Sequence, residues 1–345
     1  MRALITGGAG FIGSHVAEAL CTAGHDVVVI DRAGLPVARN ATVVRGDVRD
    51  AATLDRVLPG ADVVLHHAAK VGLGVDAQDM PDYTDTNVTG TAALLAAMHR
   101  ADVNRLVLAS SMVVYGEGRY RCERHGLVRP GPRRPTDLDD GRYDPRCPRC
   151  DKALRWVAVP ESAPLEPCNT YAATKVAQEH LAAAWALATG GSVVALRYHN
   201  VYGPRMPRDT PYAGVAAIFC SALARGEAPT VYEDGAQLRD FVHVQDVAAA
   251  NLAAVGKLAA LRGGELHAYN VASGEPRSIG DMATALAREF GGPAPRVTGA
   301  WRPGDARHVV ASPAAARVAL GFTAQVPFAA GMRALAAALL QPLSE

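Results

Sequence analysis

The chain has 345 residues, of which 49% are hydrophobic and 20% charged. That composition excludes wholesale disorder, and the length allows one large domain or two moderate ones with a core that needs no disulfides. A net charge of +1 gives no global pull toward nucleic acid or an anionic membrane, so neither is expected as a partner.

Residues 2–6 read as a short apolar strand, followed by a glycine turn and a helix over 11–24. No secretory leader fits this start, and no apolar run reaches the ~18 residues of a membrane span. A cytoplasmic location is expected. Strands follow at 26–31, 42–45 and 62–66, with a helix over 51–59. A long helix over 82–100 leads to a strand at 105–110, then a helix over 170–189 and a strand at 193–197. Continuous Val/Ile/Leu strands alternating with helices predict an α/β fold, a doubly wound parallel sheet covered on both faces.

The first chemical signal is the turn at Gly7, Gly10 and Gly13. Its glycines permit a tight bend, close approach of a pyrophosphate and close packing of helix on strand. Asp31 ends the second strand, 18 residues after Gly13, where a carboxylate accepts ribose hydroxyls and repels a 2′-phosphate. The pattern predicts a Rossmann-type site for NAD rather than NADP. The second signal is Tyr171-Ala-Ala-Thr-Lys175, which puts Tyr and Lys on one helix face. A Lys ammonium beside a phenol is expected to lower its pKa, fitting Tyr171 for proton transfer. Tyr-x-x-x-Lys alone arises often by chance; beside a dinucleotide fingerprint it carries weight. Ser111 falls at a strand's carboxyl end, where ligands of parallel sheets bind.

Thr-Gly-Gly-Ala-Gly-Phe-Ile-Gly (6–13), Ser-Ser-Met-Val-Val-Tyr-Gly (110–116), Tyr-Ala-Ala-Thr-Lys (171–175) and Leu-Arg-Tyr-His-Asn-Val-Tyr-Gly-Pro (196–204) resemble the extended short-chain dehydrogenase/reductase family. Within it the chain is similar to the NAD-dependent nucleotide-sugar epimerases and dehydratases. The resemblance implies Ser111, Tyr171 and Lys175 as catalytic residues. It implies cofactor contacts from Gly7, Gly10, Phe11, Ile12, Gly13, Asp31, Asp47, Val48, Ala68, Ala69, Lys70, Asn87, Ser110 and Tyr198, together with Tyr171 and Lys175. It implies substrate contacts from Ser111, Asn200, Tyr232, Arg239 and Arg302, the arginines serving the diphosphate and Tyr232 the base. Arg suits that task as a bidentate donor. The resemblance also implies a homodimer built on a four-helix bundle, for which 82–100 and 170–189 are the candidate helices.

One departure separates reaction types. Dehydratases of this family carry an Asp-Glu pair after the Ser/Thr position, as acid and base for loss of water. Here Met112 and Val113 stand there and cannot move protons. Oxidation and re-reduction at C4, a 4-epimerisation, is therefore the expected reaction on a nucleotide-diphosphate sugar. The alternatives are a sugar-nucleotide 4-ketoreductase, a UDP-hexose or uronic-acid epimerase or decarboxylase, an idle NAD-binding regulator and a nucleic-acid binder.

Residues 117–160 form an insertion that carries Cys122-Glu-Arg-His125 and Cys147-Pro-Arg-Cys150. Two ligand pairs, each separated by two residues, predict one structural zinc, with Cys168 as an alternative to His125. The block has few apolar residues beyond Leu127, Val128, Leu138 and Leu154 with which to offset its ordering entropy. With residues 201–212, it resembles the deoxythymidine-diphosphate-L-rhamnose 4-epimerase group. The expected domains are 1–202 plus 236–262 for NAD, the 117–160 insertion, and a smaller, mostly helical C-terminal substrate-binding lobe of 203–235 plus 263–345.

Overall fold

The computed structural model describes residues 1–35, 37–72, 77–207 and 214–340. Residues 208–212 of the 201–212 segment lie outside the described residues.

Seven parallel strands form the central sheet. In spatial order they are Glu265–Val271, Ser192–Tyr198, Arg105–Ser111, Val63–His66, Arg2–Thr6, Asp26–Asp31 and Ala41–Arg45. Their central residues, such as Leu4, Ile5, Val64, Val107 and Val194, are buried, as a sheet covered on both faces requires. Helices Phe11–Thr22 and Val244–Leu258 cover one face, through Val16, Leu20, Val247 and Ala254. Helices Ala51–Val57, Gly90–Arg100 and Thr170–Thr189 cover the other, through Leu54, Leu94, Met98, Ala182 and Ala186. The order of the strands reverses between Arg2–Thr6 and Val63–His66. That switch point opens a crevice above their carboxyl ends.

The helix expected at 82–100 is not uniform. An α-turn at Met80–Tyr83 passes into a π-helical turn at Thr84–Thr89 before the regular helix Gly90–Arg100. Strand Glu265–Val271, expected in the lobe, is instead the edge of the main sheet, paired along its length with Ser192–Tyr198. Its mixed polarity disguised it, because an edge strand need not be apolar throughout. Conversely, Leu238–His243 leaves the main sheet for a small one with Asn200–Tyr202, Pro276–Ser278 and His308–Val309.

The lobe has its own core. Tyr202, Phe219, Phe241, Met282, Leu286 and Met332 pack between helices Val215–Ala224, Ile279–Phe290 and Phe328–Leu340. The insertion forms a three-stranded antiparallel sheet of Arg119–Cys122, Gly126–Val128 and Arg155–Val157. Among the described residues no helix is long and apolar enough to cross a membrane.

Candidate active site

The first strand ends at Thr6 and the first helix begins at Phe11, so the chain must turn tightly between them. Gly7 has φ +68°, and a Cβ there would lie 2.6 Å from the Ala68 nitrogen. A Cβ on Gly13 would lie 2.3 Å from the Gly7 carbonyl oxygen. Only hydrogen at these positions lets the helix settle on the turn. The helix N-cap is Gly10, and no side chain caps this terminus. Its amide donors and positive dipole end suit a pyrophosphate. Asp31 is held at the same turn, its Oδ2 accepting from the Ala9 amide at 3.0 Å and its Oδ1 from the Ala33 amide at 2.9 Å. A cradle that a side chain would fill, beside a fixed carboxylate, fits NAD. Asp31→Ala is expected to weaken NAD and to reduce discrimination against NADP. Fluorescence titration with both cofactors checks this, and a wild type that already prefers NADP would overturn the assignment.

Residues Ala68, Ala69 and Lys70 follow strand Val63–His66 at the crevice. Asn87, fully buried in the π-helical turn, accepts from the Lys70 amide at 2.7 Å and donates to the Lys70 carbonyl at 3.0 Å. It also donates to Thr174 Oγ1 at 2.9 Å, tying this loop to the helix that carries Tyr171. The side chain of Lys70 pairs with Asp82. Three other expected cofactor contacts have internal commitments. The Asp47 carboxylate pairs with Arg49 at 2.6 Å, which holds its carboxyl below the usual range, and Val48 is buried. The Tyr198 hydroxyl exchanges hydrogen bonds with Asn251, and its ring stacks on His67 at 6.2 Å.

Helix Thr170–Thr189 is capped by Asn169, whose side chain accepts from the Ala172 amide at 2.8 Å. The cap places Tyr171 and Lys175 on one face beside Ser111. The Ser111 side chain faces the Tyr171 phenol and favours its ionised form. The Lys175 ammonium donates to the Ala109 carbonyl at 2.9 Å and lies 5.9 Å from the Tyr171 ring centre. Burial pushes Tyr171 up to about 12, opposed by the Ser111 hydrogen bond. Burial also lowers Lys175 to about 8, opposed by Glu179. The expected lowering of the tyrosine pKa by lysine is therefore absent in the protein alone. Tyr171 is half-buried, and the ammonium is turned to a backbone carbonyl.

A buried network underneath escaped the sequence analysis. Ser110 Oγ donates to Glu179 Oε1 at 2.5 Å, and Arg197 clamps the same carboxylate with bonds of 2.9 and 2.7 Å. Arg197 also donates to the Tyr115 hydroxyl at 2.9 Å, which donates to Asn270 Oδ1 at 2.8 Å. These bonds join the ends of three strands to the helix that carries Tyr171. An arginine inside the apolar strand 192–198 was the available signal, since a buried charge requires a partner.

A cavity of about 190 Å³ adjoins Ser111. Its walls include Met112, Val113, Met206, Phe241 and Met282, with Asn200 and His199, and no carboxylate lines it among the described residues. The Asn200 side-chain oxygen is buried without a hydrogen-bond partner, and burial pushes His199 down to about 3, leaving it neutral. A larger cavity of about 800 Å³ lies between the insertion and the 301–305 loop, with Glu117, Cys168 and Arg302 in its wall. Arg302 donates to Asp305 at 3.0 Å, and its guanidinium stands 5.2 Å from the Tyr232 ring centre, so these two expected substrate residues meet. Arg239 differs. It is half-buried and donates to the carbonyls of Leu238, Ala306 and Arg307 at 2.8, 2.6 and 3.0 Å. Its guanidinium braces the segment that carries Arg302.

In the insertion Cys122, His125, Cys147 and Cys150 converge, with their ligand atoms all within 4.8 Å of one another. Cys168 is outside this group; it is exposed and its thiol contacts the Glu166 carbonyl at 3.4 Å. Of the insertion's few apolar residues, Leu127 is 48% exposed, and Tyr120 is fully buried.

Comparison with known proteins gives the same picture. The model of the NAD dependent epimerase/dehydratase family matches residues 3–136 and 157–272, leaving out 137–156 of the insertion. The dTDP-L-rhamnose 4-epimerase of Burkholderia thailandensis is 33% identical over 359 residues, covering 99% of this chain and 96% of that protein. Among solved structures, the Thermotoga maritima UDP-glucose 4-epimerase with UDP-glucose superposes with a TM-score of 0.79 at 26% identity, covering 98% of both chains. The Thermus thermophilus UDP-glucose 4-epimerase with NAD gives 0.77 at 31% identity, covering 98% of this chain and 99% of that one. With the family's model matched over most of the chain and a seven-stranded parallel sheet as its core, this chain belongs to the NAD-dependent epimerase/dehydratase family of enzymes, within the extended short-chain dehydrogenases/reductases.

Proposed function

We propose that the protein is an NAD-dependent nucleotide-sugar 4-epimerase, acting on a dTDP-6-deoxyhexose such as dTDP-L-rhamnose. The observation that carries this reading is Ser111, with Tyr171 and Lys175 behind it, in the wall of a cavity whose described walls carry no acid. Met112 and Val113 line that cavity where an elimination would need proton donors and acceptors. When bound, NAD supplies the hydride acceptor and donor at C4 and a positive nicotinamide ring that favours the phenolate. Tyr171 takes the proton of the C4 hydroxyl as the C4–H bond breaks. Ser111 holds the C4 oxygen, and the 4-keto sugar turns over in the cavity. Tyr171 then returns the proton to the same oxygen as the C–H bond forms on the opposite face. Lys175 holds charge beside the phenolate throughout. Arg302 and Tyr232 are proposed to meet the diphosphate and the base.

The sugar assignment has two supports. The full-length relative from Burkholderia thailandensis carries that name. The cavity walls from Met112, Val113, Met206, Phe241 and Met282 are apolar, so a methyl group at C5 leaves no buried hydroxyl without a partner. Zinc enters the proposal as a structural ion of the insertion, since four protein ligands leave no position open for substrate. We also infer a homodimer through helices Gly90–Arg100 and Thr170–Thr189. Leu187 on the second helix is 79% exposed, as a contact residue of a free subunit would be.

The test is incubation with dTDP-L-rhamnose, UDP-glucose and UDP-glucuronate, without added cofactor, followed by NMR. Conversion of the dTDP sugar to its C4 epimer at constant mass is expected. Faster conversion of a UDP sugar would overturn the sugar assignment. Loss of water or carbon dioxide, or dependence on added NADPH, would overturn the epimerase reading.

A further inference from the structure

We propose that Cys122, His125, Cys147 and Cys150 bind one zinc ion in a closed tetrahedral site, and that this ion fixes the insertion against the segment carrying Arg302. The distances fit. Cys122 Sγ lies 3.6 Å from Cys150 Sγ and 3.6 Å from His125 Nδ1, and Cys147 Sγ lies 3.4 Å from His125 Nδ1. A tetrahedron with Zn–S of about 2.3 Å and Zn–N of about 2.0–2.1 Å has edges of about 3.5–3.8 Å. A disulfide would need sulfurs about 2.05 Å apart, and Cys122, Cys147, Cys150 and Cys168 are all free thiols.

The backbone is built to present these ligands. Cys122 and His125 flank the hairpin turn between Arg119–Cys122 and Gly126–Val128, where Gly126 takes φ +70°. Cys147 and Cys150 lie on a second tight turn. The Asp151 amide donates to the Cys147 carbonyl at 2.8 Å, the Cys147 amide donates to the Lys152 carbonyl at 2.8 Å, and Asp151 takes φ +55°. The insertion has little other core. Its buried cluster is Tyr120, Cys122, Cys147 and Leu154, so two ligands are half of it. Three thiolates and an imidazole around a dication leave a net charge of −1. Within two residues of the ligands, Arg121, Arg124, Arg146, Arg149 and Lys152 outnumber Glu123 and Asp151 and offset it. Soft sulfur donors in tetrahedral array select zinc over oxygen-seeking cations.

The stapled block grips the neighbouring lobe. Arg133 donates to Glu233 at 2.8 Å, both buried, and to the Asp305 carbonyl at 2.5 Å. Trp301 Nε1 donates to Asp139 at 2.9 Å, and Arg307 donates to Asp144 at 2.9 Å. Glu233 adjoins Tyr232, and residues 301–307 include Arg302. Order in the insertion is thereby passed to the two residues assigned to the base and the diphosphate; this last link rests on the epimerase reading.

Elemental analysis of protein purified without added metal should give about one zinc per chain, the stoichiometry of one closed site. Cobalt substitution should give thiolate-to-cobalt charge-transfer bands that Cys147→Ser weakens. Chelation should open residues 123–150 to protease while leaving bound NAD in place. It should also raise KM for dTDP-L-rhamnose about tenfold with kcat little changed, as lost ground-state binding does. Protein that neither contains nor takes up zinc or cobalt overturns the metal site, as does a Cys122–Cys150 disulfide in active protein. Zinc-loaded protein whose KM is unmoved by chelation overturns the positioning role. The metal and protease readouts involve no turnover, so they stand or fall separately from the choice of sugar.

Discussion

Tyr171→Phe is expected to lower turnover by about 10²–10⁴, the range for removing a positioned acid–base group, while NAD remains bound. The substitution deletes one oxygen. Asn169 still caps the helix, and Lys175 still reaches the Ala109 carbonyl. What disappears is the phenol that faces Ser111. Burial raises Tyr171 to about 12 in the protein alone, and Lys175 is a cation beside its ring. Single-turnover assays on the nucleotide sugar, with cofactor content measured by absorbance, check the result. Near-normal turnover would remove Tyr171 from the mechanism.

Glu179→Ala should destabilise the protein by about 3–5 kcal/mol, the cost of leaving a buried charge unpaired. Glu179 and Arg197 are 5% and 6% exposed at the side chain, and the carboxylate receives three hydrogen bonds, two from Arg197 and one from Ser110. Removing it strands the Arg197 guanidinium among the ends of the strands that support Ser111. Denaturant unfolding checks the magnitude. A change below about 1 kcal/mol, the range of an exposed pair, would mean that water reaches Arg197. Arg197→Met in the Glu179→Ala background should recover part of the loss, because two apolar side chains leave no buried charge unpaired.

Local pattern alone is enough to dictate the parallel sheet, the glycine turn, Asp31, and the Ser111, Tyr171 and Lys175 group. Each follows from a short-range rule. Periodicity marks the strands, a glycine is required where a Cβ would collide, and four-residue spacing puts two side chains on one helix face. The spacing of Cys122, His125, Cys147 and Cys150 likewise offers two pairs of candidate ligands, and the fold brings the four atoms together. The sharing of long-range partners, by contrast, emerges with the folded chain. Arg239 is legible as a cation, but its three carbonyl acceptors come from residues 238, 306 and 307, and two of those are distant in sequence. The burial of Asn87 and the Glu179–Arg197 clamp are hidden for the same reason. Hydrogen bonds and ion pairs are satisfied by proximity in space, which a one-dimensional pattern does not record. Edge strand Glu265–Val271 shows the same limit in the backbone, because its membership in the main sheet is set by its partner Ser192–Tyr198 and not by its own residues.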